Sequence, residues 1–168
     1  MTDSSSLRIV SLLPSATEIV CELGLGENLV GVSHECDFPV GVEKLPVVTS
    51  SVIPKNAPSG EIDTLVRDHL KSNSALDSLD LELLEKLRPT LIVTQALCDV
   101  CAVSAEDVEA AVCVIPGRPT VVNLEPMSVE DLFTTMTEIG RKDGVVEKTN
   151  ERVAQLRERI ATVAERSA

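Results

Sequence analysis

The sequence predicts an α/β protein: a three-layer, doubly wound, mainly parallel sheet followed by one long C-terminal helix. Two observations carry this. Short apolar runs at 7–13, 29–32, 91–94 and 120–124 alternate with helix-patterned segments, as strands buried on both faces do. From Val145 to about Ala164 a single apolar stripe, Val146, Val153, Leu156, Ile160 and Val163, repeats at helical spacing.

Taken in order, Leu7–Leu13 reads as a buried first strand ending at Pro14. Ser15-Ala-Thr-Glu18 has the form of a capping box, which opens a helix through Ile19, Val20 and Leu23. Gly24-Leu-Gly26 ends it. Leu29–Val32 is the second strand and runs into the loop His34-Glu-Cys-Asp-Phe-Pro39. Residues 40–60 carry three prolines and little pattern, with Val47-Val48 as a short strand. Glu61 to Leu70 reads as helical. A second helix over Leu79–Leu87 places Leu79, Leu83, Leu84 and Leu87 on one face and stops before Pro89.

Leu91–Thr94 is the third strand and leads into the loop Gln95-Ala-Leu-Cys-Asp-Val-Cys101. Ser104 caps the next helix, Pro116-Gly117 breaks the chain, and Thr120–Leu124 is a further strand. Ser128-Val-Glu-Asp131 opens a helix to Gly140. The final stripe of about 20 residues spans roughly 30 Å as a helix. Such a helix packs along the sheet or bridges to another domain.

Composition narrows the function. With two Phe and neither Trp nor Tyr, the core is aliphatic and the stacking platforms of single-strand nucleic-acid binders are missing. A net charge of −12 repels polyanions, so nucleic acid is not an expected partner. Met1-Thr-Asp-Ser-Ser-Ser6 lacks a basic segment followed by an apolar one, and the chain as it stands is expected to be cytoplasmic. Five cysteines, an odd number, fit reduced thiols better than a paired secreted framework.

In doubly wound sheets ligands bind beyond the carboxyl ends of the strands. Here those ends are Pro14-Ser15, the His34 loop, the Gln95–Cys101 loop and Glu125-Pro126. His34-Glu-Cys36 with Cys98-Asp-Val-Cys101 offers one imidazole and three thiolates, a set suited to tetrahedral zinc or thiolate-bound iron. The same thiols also read as a redox pair, or as loop thiols beside a pocket with His34 bonded to backbone. Cys21 and Cys113, flanked by aliphatic residues, read as small buried hydrophobes. No nucleophile elbow, phosphate-binding loop or zinc-protease helix is present, and no enzyme activity is expected.

Arg8-Ile-Val-Ser-Leu-Leu-Pro-Ser-Ala-Thr-Glu-Ile19, Gly24-Leu-Gly26 and Leu29-Val-Gly-Val-Ser33 together resemble the N-terminal lobe of substrate-binding proteins of ABC importers for cobalamin and ferric siderophores. The likeness continues through Asp37-Phe-Pro39, Leu81–Pro89 with Leu91-Ile-Val93, and Leu124-Glu-Pro126. In that family two α/β lobes joined by a rigid helix hold the ligand between them.

The resemblance implies a first lobe over residues 1–143, a connecting helix over 145–168, and a second lobe absent from the chain. It implies ligand contacts from Pro14, Ser15, His34, Glu35, Gln95 and Glu125, and docking to an importer's membrane subunit through Glu82. It also implies cobalamin or an iron chelate as the ligand and a periplasmic or lipid-anchored setting. Where the family usually carries aromatics around the pocket, this chain has His34, Glu35, Cys36 and Gln95. The alternative is a protein-held zinc, or an iron–sulfur or thiolate iron site with a redox-sensing role, at His34, Cys36, Cys98 and Cys101. A missing second lobe, or a homodimer, would cover the apolar stripe of the last helix.

Overall fold

Alternate residues of each central strand face opposite layers, and both layers are apolar. The computed structural model describes residues 7–54, 56–72, 76–95, 103, 105–142 and 144–167, with only the backbone given at 69–72, 105, 106 and 142. Its strands are β1 (Ile9–Ser11), β2 (Leu29–Val32), β3 (Thr49–Ser51), β4 (Asp77–Leu79), β5 (Leu91–Thr94) and β6 (Thr120–Asn123). Its helices are α1 (Pro14–Glu22), α2 (Ser59–Ser72), α3 (Leu81–Leu87), α4 (Ala105–Val114), α5 (Val129–Lys142) and α6 (Val146–Arg166).

Four strands form a parallel sheet in the order β2-β1-β5-β6. Ile9, Leu91, Val93 and Val122 face a layer built from α1, α5 and α6, contributing Ala16, Val20, Phe133, Ile139 and Val153. Val10 and Ile92 face the other layer, where Leu84 of α3 and Val108 and Ala111 of α4 cover them. This is the predicted three-layer arrangement, and the predicted long terminal helix is α6. The chain leaves β1 for β2 on one side and returns to β5 on the other. The order therefore reverses between β1 and β5, where Leu12 N–H donates to the Val93 carbonyl at 2.9 Å.

Several local readings need correction. α1 begins at Pro14, not at Ser15: Leu13 is the N-cap and makes no side-chain cap bond, and Ser15 is exposed. A proline whose missing N–H is harmless in the first turn takes the place of the capping box. Val47 only bridges to Val32, and the strand proper begins two residues later at Thr49. Leu79 is not in a helix. It ends β4, which pairs antiparallel with β3 as a small separate sheet, and Asp80 then caps α3 by accepting the Leu83 N–H at 2.9 Å. Ser128 does open α5: its hydroxyl accepts the Asp131 N–H at 3.1 Å, and the Asp131 carboxylate accepts the Met127 N–H at 3.1 Å. Ser104 lies outside the described residues.

α5 and α6 form an antiparallel pair. Gly144, at φ 73°, makes the left-handed turn between them. Gly140 then faces Thr149, and Glu130 pairs with Arg157, which also lies 4.8 Å over the Phe133 ring. By that alignment the last two turns of α6 run past the start of α5, at the carboxyl rim of the sheet. Ile160 and Val163 are exposed there.

A Cβ at Gly140 would sit 2.8 Å from the Thr149 Cβ, so Gly140 is what lets the two helices approach. Gly140→Ala is expected to destabilise the fold by about 1–2 kcal/mol despite its better helix propensity. Adding Thr149→Ala should recover much of that loss, with both read from urea denaturation midpoints.

Candidate functional site

All four strands of the main sheet are parallel, so the segments that follow them emerge at one rim. Leu12–Ser15 follows β1, Ser33–Gly41 follows β2, Gln95 follows β5 and Leu124–Ser128 follows β6. The rim therefore carries Pro14, Ser15, His34, Glu35, Gln95 and Glu125. Cys98, Asp99 and Cys101 belong to the β5–α4 connection, outside the described residues.

Beneath the rim runs a chain of hydrogen bonds between buried groups. Ser11, the last residue of β1, donates to the Leu13 carbonyl at 3.1 Å. Thr17 of α1 donates to the Ser11 hydroxyl at 2.8 Å, and Cys36 Sγ lies 3.1 Å from the Thr17 hydroxyl. With the Thr17 and Ser11 hydrogens directed down this series, the Cys36 S–H is the donor to Thr17. Each hydroxyl hydrogen is used once, and three buried side chains are satisfied together. Burial is the main cause that pushes the Cys36 thiol up, partly offset by its bonds to Thr17 and to the Ser33 backbone. The group is thus a neutral thiol at neutral pH, packed with Val32 and Val42.

His34 is held from the other side. Its N–H donates to the Thr49 hydroxyl at 2.9 Å, its Nδ1 lies 2.7 Å from the same oxygen, and its Nε2 is 3.9 Å from an Asp77 carboxylate oxygen. Thr49 in turn donates to the Ser33 hydroxyl at 3.3 Å. The small β3–β4 sheet, far from β2 in sequence, thus fixes the imidazole. Glu35 and Asp37 are exposed. Across the rim, Asn123 donates to the exposed Glu125 carboxylate at 2.5 Å. A small cleft of about 160 Å³ between β5, β6 and α4 is lined by Thr94, Gln95, Val103, Glu109 and Asn123.

The geometry draws His34 and Cys36 apart: one ring lies against β3 and β4, and the thiol points inward onto α1. Among the described residues no three His, Cys, Asp or Glu side chains gather in a way that could hold a metal ion. Glu82 is exposed in the first turn of α3 and takes Lys86 as an i,i+4 partner at 2.6 Å. Cys113 is exposed and Cys21 only half-buried, contrary to the buried hydrophobes expected of both. The outward face of α4, where Val114 is also exposed, accounts for Cys113. Sequence reasoning passed over Ser11, Thr17, Thr49 and Asp77. The visible signal was a serine at the end of an apolar strand.

This fold matches about half of the length of solved substrate-binding proteins. A solved ABC transporter substrate-binding protein from Listeria monocytogenes EGD-e superposes with a TM-score of 0.57 at 18% identity, over 95% of this chain and 48% of that one. The periplasmic heme-binding protein of Roseiflexus sp. RS-1 gives 0.67 at 23% identity, over 94% and 49%. The periplasmic vitamin B12-binding protein of Vibrio cholerae gives 0.66 at 19%, over 95% and 50%.

Among curated proteins, the vitamin B12-binding protein of Vibrio vulnificus YJ016 is 44% identical over 43 residues, or 26% of this chain and 16% of that protein. The vitamin B12-binding protein of Photorhabdus laumondii is 40% identical over 47 residues, 28% and 17% respectively. No family model matches. The chain spans about half the length of the solved proteins it matches. The resemblance read from the sequence is borne out, and these relatives are binding proteins for vitamin B12, for heme or for a transporter's substrate. Among the described residues no helix is long and apolar enough to cross a membrane.

Thr17→Val would leave the Cys36 S–H without its acceptor and take away the hydrogen that the Ser11 oxygen accepts, although Ser11 keeps its bond to the Leu13 carbonyl, at an expected cost of about 1–3 kcal/mol. Thr17→Ser, which keeps the hydroxyl, should cost clearly less in the same denaturation experiment.

Proposed function

We propose that the chain is the first lobe of a binding protein for a metal chelate, with cobalamin the favoured ligand, and that the carboxyl rim of the sheet is its ligand face. The observation that carries the choice of ligand is the charge of the loops that leave the main-sheet strands; the arginines at that end of the molecule, Arg157, Arg159 and Arg166, belong to α6, and Arg157 is taken up by Glu130. No Lys or Arg occurs between Arg8 and Lys44, between Arg88 and Arg118, or between Arg118 and Arg141. Every segment leaving the carboxyl end of a main-sheet strand lies within one of these stretches, and among the described residues of these loops Glu35, Asp37 and Glu125 are exposed acids. Carboxylate-bearing ligands such as haem, and anionic catecholate chelates of iron, call for a guanidinium or ammonium partner. A corrinoid, neutral or cationic overall, does not.

In this reading Pro14, Ser15, His34, Glu35, Gln95 and Glu125 contact the ligand, and no chemical step occurs. Residues 1–143 are the lobe and 145–168 the connecting helix, whose last turns pass the rim and would carry a second lobe to face it. Glu82 on α3 is the docking carboxylate for an importer's membrane subunit, and the setting is that of the periplasmic relatives. One lobe covers one side of so large a ligand, which keeps affinity well below that of a closed pocket.

Titrating hydroxocobalamin and ferric haem separately, by absorbance and calorimetry, tests the reading. Cobalamin should bind with a Kd of roughly 10–1000 µM, at least about tenfold tighter than haem. Glu35→Lys with Glu125→Lys should narrow or reverse that preference. Haem binding more tightly than cobalamin to the unmodified chain, or no binding of either, contradicts the proposal. Stoichiometric zinc or iron in the protein as purified would support the thiolate-metal alternative instead.

A further inference from the structure

Two thiols on neighbouring elements play no part in the proposed ligand face. Cys36 Sγ lies 3.1 Å from the Thr17 hydroxyl on α1. Cys21 is one turn beyond Thr17 on the same helix, and side chains four apart stack on one face with Cβ atoms about 5–6 Å apart. Both cysteines pack into one small apolar cluster, with Val32, Val42 and Leu45. After burial, the Cys36 sulfur is the next largest cause that pushes the Cys21 thiol up, which places the two groups within electrostatic reach. Two thiols that share one cluster can be joined where the loop after β2 moves to bring their Cα atoms to the roughly 4.4–6.8 Å that a disulfide spans.

We propose that Cys21 and Cys36 are a dithiol–disulfide pair that staples the loop after β2, which carries His34 and Glu35, onto α1. Cys21 is half-buried and Cys36 buried, so Cys21 is the point of entry. A low-molecular-weight disulfide is the oxidant. The Cys21 thiolate attacks one of its sulfurs, that S–S bond breaks, and one small thiolate leaves. The Cys36 thiolate then attacks the Cys21 sulfur and expels the second small thiolate. Two protein thiols are oxidised by two electrons, and one disulfide is reduced to two thiols.

Thiolates are the nucleophiles in both steps and burial holds both thiols neutral, so the reaction is slow at neutral pH and quickens as the solution is made alkaline. The crosslink gives up the contact between Cys36 and Thr17. Thr17 keeps its bond to Ser11, and no buried hydroxyl loses its only partner.

The test is oxidised glutathione added to the folded protein across neutral to mildly alkaline pH, followed by alkylation, trypsin and mass spectrometry. The tryptic peptide bounded by Arg8 and Lys44 contains Cys21 and Cys36 and no other cysteine, so Cys98, Cys101 and Cys113 cannot confuse the result. The expected product is this peptide two hydrogen masses lighter and closed to alkylation, formed faster at higher pH, in a protein melting a few degrees higher. Cys21→Ser and Cys36→Ser should each abolish it. Should either variant fail to fold, the peptide mass of the unmodified protein decides. A peptide carrying two alkyl groups, or a glutathione on Cys21 that Cys36 never displaces, overturns the proposal.

Discussion

A parallel sheet buried on both faces can meet a ligand only at its ends, and every other feature of this molecule follows from that constraint. β1 is central, and its Ile9 and Val10 are wholly buried in opposite layers. With both faces filled by aliphatic side chains, polar chemistry gathers where the strands stop. Connections in a parallel sheet send all of the outgoing segments to one rim. Ser11, Thr17 and Cys36 tie β1, α1 and the loop after β2 together at that rim.

The rim is consequently stiff on the β1–β2 side. His34 is fixed by Thr49 and, more distantly, Asp77, which belong to the separate antiparallel pair of strands. This small sheet has little core of its own. It is tied to the main one through the Val32–Val47 bridge and the bond from the Asp80 N–H to the Val48 carbonyl. On this view its purpose is to position a side chain. The opposite end of the molecule, where α5 turns into α6, is governed by Gly140 meeting Thr149, whose buried hydroxyl donates to the Val145 carbonyl within its own helix.

The main sheet was legible because β1, β2, β5 and β6 are short, mainly apolar runs separated by proline, glycine and capping residues, signals that depend only on neighbours in sequence. β4 was not legible. Asp77-Ser-Leu79 shows no alternation, and Leu79 fits the apolar stripe of the helix that follows, so only its pairing with β3 makes it a strand. The ligand face was legible as a set of loops, because strand order follows from alternation of strands and helices. Its internal wiring was not: Thr17 with Cys36, and His34 with Asp77, are pairs whose separation in sequence carries no period. Ser15 illustrates a local signal overruled by a neighbour, since Pro14 supplies the helix start without any side-chain cap.

The central claim is that a chelate is met at the carboxyl rim. Amide hydrogen exchange of the protein with and without saturating hydroxocobalamin tests it most directly. The account predicts added protection in residues 12–18, 33–41 and 123–128, with α6 beyond Ile160 little changed. Protection confined to the exposed face of α5 and α6, with the rim unaltered, would contradict it.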